Sequence, residues 1–421
     1  MCMKQRFEPK SEFSRNILTL MTGTIIAQAI PIAISPILTR IYRPEDFGLY
    51  AIYVAIITVL VPVVSGRYEF AIMLPKKDED AINIFALGIL ITAFMTALFT
   101  ILVVVLNDVI VSWLNNQEIG FWLYFIPVSV FFAGCFNLLT HFNNRCKNYT
   151  DIKNSLMLKS ITTAVVQLLV GLIKQGVTGL LSGQILSQAM ANMQLLKNIT
   201  KDKALLSKIS KLKVVELAKR YKNFPKFSIG AILANKLSFQ LTNIIISSVY
   251  SVTTLGFYSL VQRILGIPSS LIGNSIGRVF FQKAAIEKQQ TGKVINTFQT
   301  TAKILILIGV PFFGLLFFTV ENLFALVFGE PWRIAGEYAK IIIPFFFVQF
   351  VISTLSSVDT IMEKQNMDLL FNIVVLLVSL VVILTSSGFS FKMFLMNWTV
   401  SLTTIYAIYG YVLLKMAKGQ I

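Results

Sequence analysis

Four basic side chains, each within or beside a long apolar run, are the residues most suited to binding an anion. Arg15 precedes the first run, Arg67 follows the second, and Lys236 and Arg263 fall inside two later runs. A charge near the centre of a bilayer costs at least ~2.5 kcal/mol, so each needs a partner or an aqueous cavity. Guanidinium and ammonium groups facing such a cavity suit a phosphate ester or pyrophosphate. We therefore predict a cationic cavity that holds an anionic substrate.

Polar side chains in the same apolar runs complete the predicted lining. The amides are Gln28, Asn235, Gln262 and Asn274. Such groups bind sugar hydroxyls, but they also form hydrogen bonds between helices, and both interpretations stay open. Structural or gating roles are assigned to Arg40, Glu69, Gly48 and Gly256.

No arrangement of residues predicts catalysis. His141 is the only histidine, and no carboxylates are spaced as an acid and base or as a metal site. The predicted external connections are too short for the loop that a polymerase needs. We therefore predict no catalytic residue, no metal, no cofactor and no enzymatic activity.

The composition indicates a membrane protein. Of the 421 residues, 55% are hydrophobic and 14% charged, against about 25% charged in a soluble domain. Apolar runs long enough to span a bilayer cover about 16–39, 45–66, 81–106, 119–141, 152–173, 176–196, 227–250, 255–280, 298–320, 334–360, 367–386 and 391–414. This pattern predicts an all-α integral membrane protein with twelve transmembrane helices.

The distribution of basic residues predicts the orientation. Most lysines and arginines lie in the N-terminus, the even-numbered connections and the C-terminus, which places both termini in the cytoplasm. The net charge of +17 is then mainly a topology signal. No basic helix is interleaved with exposed aromatic residues in a soluble context, so we predict no nucleic-acid partner.

The sequence contains an internal repeat. At a constant offset of 208 residues, Tyr42 corresponds to Tyr250 and Gly48 to Gly256. Six spans per half make the copies parallel, related by an axis along the membrane normal. The predicted units are a six-helix lobe at 1–196, a basic amphipathic cytoplasmic linker at 197–226 and a second six-helix lobe at 227–421. The linker carries ten basic residues and should lie on the anionic inner leaflet.

Five segments resemble a known family. In Leu38–Tyr50, the matching residues are Arg40, Pro44, Glu45, Asp46, Phe47, Gly48 and Tyr50, whereas Arg43 departs from the pattern. The other segments are Gly66–Asp80, Phe224–Ser228, Val261–Ala285 and Gly329–Phe350. They are similar to the Wzx-type lipid-linked oligosaccharide flippases of the multidrug/oligosaccharidyl-lipid/polysaccharide exporter superfamily.

The resemblance implies a two-lobed, twelve-helix fold around a central cavity, in the inner membrane of a bacterium. The implied function is transfer of an undecaprenyl-pyrophosphate-linked oligosaccharide to the outer leaflet by alternating access, for O-antigen or capsule assembly. The bilayer and that lipid are the implied partners, with the polymerase and chain-length regulator of the same pathway as further candidates. A drug or cation antiporter of the same superfamily, a flippase for the peptidoglycan precursor and a membrane glycosyltransferase or polymerase are the alternatives. The coupling ion stays open.

Overall fold

In the computed structural model, which describes residues 10–114, 116–386 and 388–420, every regular element is helical. Side chains are described for these residues apart from 10–21, 227, 231, 234, 235, 238, 239 and 365. The principal helices of this part of the chain are α1 (Lys10–Ile41), α2 (Pro44–Val64), α3 (Asp78–Leu114), α4 (Ile126–Arg145), α5 (Tyr149–Ile173), α6 (Thr178–Lys201), α7 (Ile229–Val249), α8 (Val252–Thr291), α9 (Ile295–Phe328), α10 (Arg333–Leu355), α11 (Gln365–Ser386) and α12 (Phe391–Ala417).

Short helices connect the principal ones. They are Tyr68–Ala71, Glu118–Leu123, Lys203–Leu206, Lys211–Arg220, the 3₁₀ turn Glu330–Trp332 and Val358–Ile361. Two π-helical turns, Phe224–Ser228 and Ser269–Gly273, each lie beside or contain a proline, Pro225 in the first and Pro268 before the second. A π-helical turn follows naturally from proline, because the missing N–H disturbs the regular ladder of backbone hydrogen bonds.

Ten helices within the described residues are long and apolar enough to cross a membrane, judged by length and composition. The predicted all-α membrane fold is therefore confirmed. α6 is outside the ten because the amides Gln184, Gln188 and Asn192 lower its hydropathy. In α7 the side chains are described continuously only from Gln240 to Val249, and this stretch is a shorter apolar helix. The count of twelve transmembrane helices stays a prediction.

The chain separates into two compact units, Met1–Gln240 and Leu241–Ile421, called here the N-terminal and C-terminal units. Packing inside each unit follows the same plan. In the first, α4 packs against α2, α3 and α6, and α5 packs against α6. In the second, α10 packs against α8, α9 and α12, and α11 packs against α12. The repeat in the sequence thus has a counterpart in the order of helix contacts.

The repeated tyrosines make the same contact in both units. Tyr42 donates its hydroxyl to the Gln167 carbonyl in α5 at 2.6 Å, and Tyr250 donates to the Ser386 carbonyl in α11 at 2.9 Å. Each bond joins the end of the first helix of a unit to the fifth. Burial raises the pKa of both hydroxyls, so they stay protonated donors at neutral pH.

The turn after each tyrosine begins the next helix with a different cap. Before α2, the Asp46 carboxylate accepts from the Arg43 N–H at 2.8 Å. Before α8, the Ser251 hydroxyl accepts from the Thr254 N–H at 2.9 Å. Both side chains satisfy backbone groups that a helix end leaves open. The acidic residue of the first copy is therefore explained by capping.

The basic segment between the halves packs on the N-terminal unit. It is broken where Asp202 accepts from the Leu205 N–H at 3.0 Å, and its helix Lys211–Arg220 lies against α3. The Asn83 side chain in α3 accepts a hydrogen bond from the Ser210 N–H at 2.8 Å. The ammonium groups of Lys208 and Lys213 form ion pairs with Glu79. In the helix Lys211–Arg220, Leu217 is buried and Leu212 is exposed, and the amphipathic linker at 197–226 stays a prediction. The location of this segment on the inner leaflet stays a prediction.

Candidate functional site

A polar cavity of about 910 Å³ lies inside the C-terminal unit. Its wall comes from residues 266–281 of α8, from residues 353–360 at and beyond the end of α10, and from Asp368 in the first turn of α11. Most of the lining side chains carry hydroxyls, and three are charged, namely Arg278, Asp359 and Asp368. Cavities that bind small molecules commonly measure about 300–1,000 Å³. The volume and chemistry therefore suit a polar ligand.

The interrupted part of α8 forms one side of this cavity. Pro268 precedes the π-helical turn Ser269–Gly273, and both lie within a helix that is otherwise regular. Irregular backbone at membrane depth is tolerated where it lines a cavity. Gly273 allows the close approach of α10, because an added Cβ would meet Thr354 Oγ1 at 2.8 Å.

Three buried polar atoms on the cavity wall have no hydrogen-bond partner within the described residues. They are Ser269 Oγ, Ser357 Oγ and Asp359 Oδ1. Asp359 is only 3% exposed. Leaving a buried polar group unsatisfied costs about 1–3 kcal/mol, so such atoms mark places where a ligand or water binds.

Asp359 is held in place from the opposite side by α12. The Tyr409 hydroxyl donates a short hydrogen bond to Asp359 Oδ2, and the Tyr409 ring stacks on Phe371 of α11 at 3.8 Å between centroids. One carboxylate oxygen is thus fixed while the other has no protein partner. Sequence reasoning missed Asp359 and Asp368, because each sits at the end of a predicted span, where a charge is ordinary.

Replacing Tyr409 with phenylalanine should destabilise the protein by about 1–3 kcal/mol, because it leaves both oxygens of a buried carboxylate without a protein partner. Thermal unfolding of the purified protein in detergent measures the effect. Tyr411→Phe is the matched control, since Tyr411 lies on the same helix and is 58% exposed. It should change stability by less than about 0.5 kcal/mol. Equal melting temperatures for the two variants would contradict the assigned hydrogen bond.

Arg67 has an unusual conformation in the N-terminal unit. Its φ of 63° is left-handed, which costs a non-glycine residue about 1–3 kcal/mol and is found where function or packing demands it. The guanidinium lies 3.5 Å from Glu69 and 4.3 Å from the centroid of the Phe70 ring. Arg67 Nε is buried without a hydrogen-bond partner in the described residues. Arg67 is therefore paired with Glu69 through one of its terminal nitrogens.

Glu69 is buried, and both of its carboxylate oxygens have a partner. Its second oxygen accepts from Ser65 Oγ at 2.5 Å. Arg40 is exposed and donates to the Pro36 carbonyl at 2.7 Å, one turn earlier in α1. Gly48 and Gly256 are buried at corresponding positions in the two copies. These contacts are structural, and the gating roles predicted for these residues stay predictions.

The remaining candidates are distributed over both units. Lys236 is half-buried on α7, and Arg263 is half-buried on α8, two turns or less before the π-helical turn. Gln28 is exposed on α1, and Gln262 is hydrogen-bonded to Tyr258. The side chains of Arg15 and Asn235 lie outside the described residues.

Asn274 is the predicted residue that lines the cavity of the C-terminal unit. It is exposed, and its amide donates to the Ser270 carbonyl at 2.9 Å. The carbonyl oxygen of its side chain makes no hydrogen bond with the described residues. Asn274 therefore fits the predicted role of an amide that offers an acceptor to a polar ligand.

Sequence reasoning missed a buried arginine at the end of α4. Arg145 Nη2 lies 3.1 Å from Asp78 Oδ1, and Nη1 donates to the Ile72 carbonyl at 3.1 Å. The Arg145 side chain is 1% exposed. It ties α4 to the loop before α3, so it supports the segment that carries Arg67.

His141 is nearby on α4, where it bonds the Asn137 carbonyl and contacts the Phe70 ring. No cluster that could hold a metal ion occurs among the described residues.

Solved structures identify the fold. The lipid II flippase MurJ in an inward closed conformation has a TM-score of 0.72 at 11% identity, over 96% of this chain and 90% of that one. An inward-facing multidrug resistance MATE family transporter of the MOP superfamily has 0.70 at 12%, over 95% and 94%. A MOP superfamily transporter from Pyrococcus furiosus has 0.65 at 12%, over 96% and 95%. No curated protein sequence matches the chain.

These neighbours are transporters and a flippase, and they share the helical architecture described above. The chain thus has the helical fold of these transporters and flippases, and it is a multi-pass membrane protein. The sequence then gives the family. The chain belongs to the polysaccharide biosynthesis proteins, which it matches over residues 37–336. This match confirms the predicted resemblance to the Wzx-type flippases.

Proposed function

We propose that the protein flips undecaprenyl-pyrophosphate-linked oligosaccharide units from the inner to the outer leaflet of a bacterial inner membrane. The product would supply surface polysaccharide assembly, as O-antigen or capsule. The observation that carries the proposal is a polar cavity of about 910 Å³ within an apolar helical unit of a polysaccharide biosynthesis family member. A membrane-embedded polar cavity needs a function, because burying polar groups in a bilayer is costly.

The substrate has two polar parts with different chemistry. The pyrophosphate is anionic and suits basic side chains, for which Arg15, Arg67, Lys236 and Arg263 are the candidates. The glycan is rich in hydroxyls and suits amides and carboxylates, for which Gln28, Asn235, Gln262 and Asn274 are candidates. The left-handed backbone and unpartnered Nε of Arg67 support a binding role.

The proposal also covers the two lobes, the linker between them and the position of the termini. Six-helix lobes at 1–196 and 227–421 would rock about the substrate, joined by the linker at 197–226, with both termini in the cytoplasm. The polyprenyl tail would stay in the bilayer while the polar parts cross. A polymerase and a chain-length regulator of the same pathway would act next on the product.

Reversing the charge of Lys236 or Arg263 should abolish surface polysaccharide, because a carboxylate at a pyrophosphate site repels the substrate by several kcal/mol. The host strain should lack its own copy of the gene and carry the variant on a plasmid. Lipid-linked oligosaccharide in the inner and outer leaflets is then quantified, together with the protein level in the membrane. We expect the intermediate to accumulate in the inner leaflet at unchanged protein level.

Lys303→Glu is the control for these reversals. Lys303 is exposed near the start of α9, and it is not a candidate for the site. Export by the Lys303 variant should equal that of the wild type. Normal export by both the Lys236 and the Arg263 variants would remove the cationic site from the proposal. Normal translocation in the strain without the gene would overturn the proposed function itself.

A drug or cation antiporter is the second candidate, since a MATE transporter has the same fold. Such an antiporter needs carboxylates in the N-terminal unit that are free to exchange cations. Asp46 is engaged in a helix cap, and Glu69 is engaged by Ser65 and Arg67. These contacts favour the flippase over the antiporter.

A lipid II flippase would share the cationic site. The glycan found on the accumulated lipid distinguishes a lipid II flippase from a flippase for surface polysaccharide.

A further inference from the structure

We infer that the cavity between α8, the end of α10 and the start of α11 holds the glycan of the substrate and not its pyrophosphate. The inference rests on the proposed function and assigns one part of the substrate to one set of residues. Ser269, Ser357 and Asp359 would make the main hydrogen bonds to sugar hydroxyls.

Hydrogen-bonding capacity is the first argument. Ser269 Oγ, Ser357 Oγ and Asp359 Oδ1 are buried on the cavity wall and have no partner in the described residues. A carboxylate accepts hydrogen bonds, whereas a serine hydroxyl both accepts and donates. A sugar hydroxyl also does both, so a sugar satisfies all three atoms. A phosphate oxygen only accepts, so it cannot satisfy an ionised Asp359.

The size of the cavity is the second argument. A single cation on Asp359 would leave most of the 910 Å³ unfilled. The volume lies near the upper end of the range for pockets that bind small organic molecules. Phe281 adds an aromatic ring to the wall, which can cover the apolar face of a sugar. A polar organic group of several rings fits better than an ion.

Charge is the third argument. The lining carries two carboxylates, Asp359 and Asp368, and one guanidinium, Arg278. Like charges a few ångströms apart repel, and the effect is larger in a partly dry cavity than in water. A pyrophosphate would meet more negative than positive charge here, whereas a neutral glycan would not be repelled.

Asp359 is also positioned before any ligand binds. Tyr409 donates to Asp359 Oδ2, whereas Asp359 Oδ1 has no partner in the described residues. A group that is already fixed loses less conformational entropy on binding, which favours affinity. Tyr409 therefore acts as a positioning residue for this site.

Neighbouring serines provide a matched test. Ser269 and Ser357 have unpartnered hydroxyls, whereas the adjacent Ser270 and Ser356 donate to the carbonyls of Ile267 at 3.0 Å and Ser353 at 2.9 Å. All four line the cavity. The double variants S269A/S357A and S270A/S356A thus remove the same atoms from the same cavity, but only the first removes hydroxyls that lack a protein partner in the described residues.

The experiment measures binding to the full-length protein in lipid nanodiscs. The probes are undecaprenyl pyrophosphate carrying one N-acetylhexosamine and bare undecaprenyl pyrophosphate. We expect S269A/S357A to weaken binding of the glycosylated lipid by about 5- to 30-fold, because two hydrogen bonds are lost. Binding of the bare lipid should change by less than about twofold, and S270A/S356A should change neither by more than about twofold. Size-exclusion profiles check that each variant is folded.

Each other outcome has a definite meaning. Equal effects of the two double variants, or no effect of S269A/S357A, would overturn the glycan assignment while the proposed function stands. If S269A/S357A weakened binding of the bare lipid equally, the pyrophosphate would lie in this cavity, and the glycan assignment would again be overturned. A wild-type protein that binds neither probe would overturn the proposed function and the glycan assignment together.

Discussion

Replacing Arg145 with alanine is expected to destabilise the N-terminal unit by about 3–5 kcal/mol. The Arg145 side chain is 1% exposed, and its guanidinium pairs with Asp78 and donates to the Ile72 carbonyl. Removing it takes a charged hydrogen-bond donor away from a half-buried carboxylate and from a backbone carbonyl. Most of the cost comes from these uncompensated groups and not from the lost attraction. Thermal unfolding in detergent, followed by the fraction of protein that stays monodisperse, measures the loss.

Two further variants test the role of Arg145. Arg333→Ala removes an arginine whose side chain is 42% exposed and paired with Glu330, and such surface pairs contribute at most about 1 kcal/mol. Arg145→Lys keeps the charge but cannot bond two partners in a fork, so its stability should be intermediate. If Arg145→Ala melts at the same temperature as Arg333→Ala, the buried pair is not a support of the fold.

Replacing Gly179 with alanine is the second change for which we expect a large effect. An added Cβ would lie 1.9 Å from the Tyr42 hydroxyl oxygen and 3.0 Å from the Gly171 nitrogen. Tyr42 cannot move away easily, since it is 2% exposed and donates to the Gln167 carbonyl. α5 and α6 would have to separate, which costs about 1–3 kcal/mol or more. The same melting assay applies.

Gly314 provides the control for this substitution. It also lies within a long helix, α9, but an added Cβ would meet nothing within 4 Å. Gly314→Ala should therefore be neutral or stabilise by up to about 1 kcal/mol, as alanine favours a helix. In the Tyr42→Phe background the colliding oxygen is gone, so the cost of Gly179→Ala should fall. Additive effects of the two changes would show that the collision with the hydroxyl is not the cause.

Much of the fold could be predicted from sequence because it depends on local pattern. Apolar runs of sufficient length gave the helices, and the offset from Tyr42 to Tyr250 located the same turn in both halves. The π-helical turn that interrupts α8 directly follows a proline, Pro268. These features depend on residues that are neighbours in the chain.

The candidate site could be predicted only in part because it depends on distant residues. Asn274 was predicted for the site and lines the cavity, but the position of Asp359 depends on Tyr409, which lies on another helix. Arg145 is likewise explained by Asp78, which lies far from it in the sequence. Periodicity and composition carry no information about such pairs. They become visible only when the helices are assembled.

The bonds from Tyr42 and Tyr250 also explain why the duplication is visible at some positions and invisible at others. Each phenol donates to a main-chain carbonyl, at Gln167 and at Ser386. Every residue type supplies that carbonyl, so the acceptor positions are under no chemical constraint from this bond. The donor must remain a tyrosine, whereas the helix that it fastens is free to drift in sequence. An ancestral duplication can therefore persist as a pair of tyrosines after the surrounding helices have lost all resemblance.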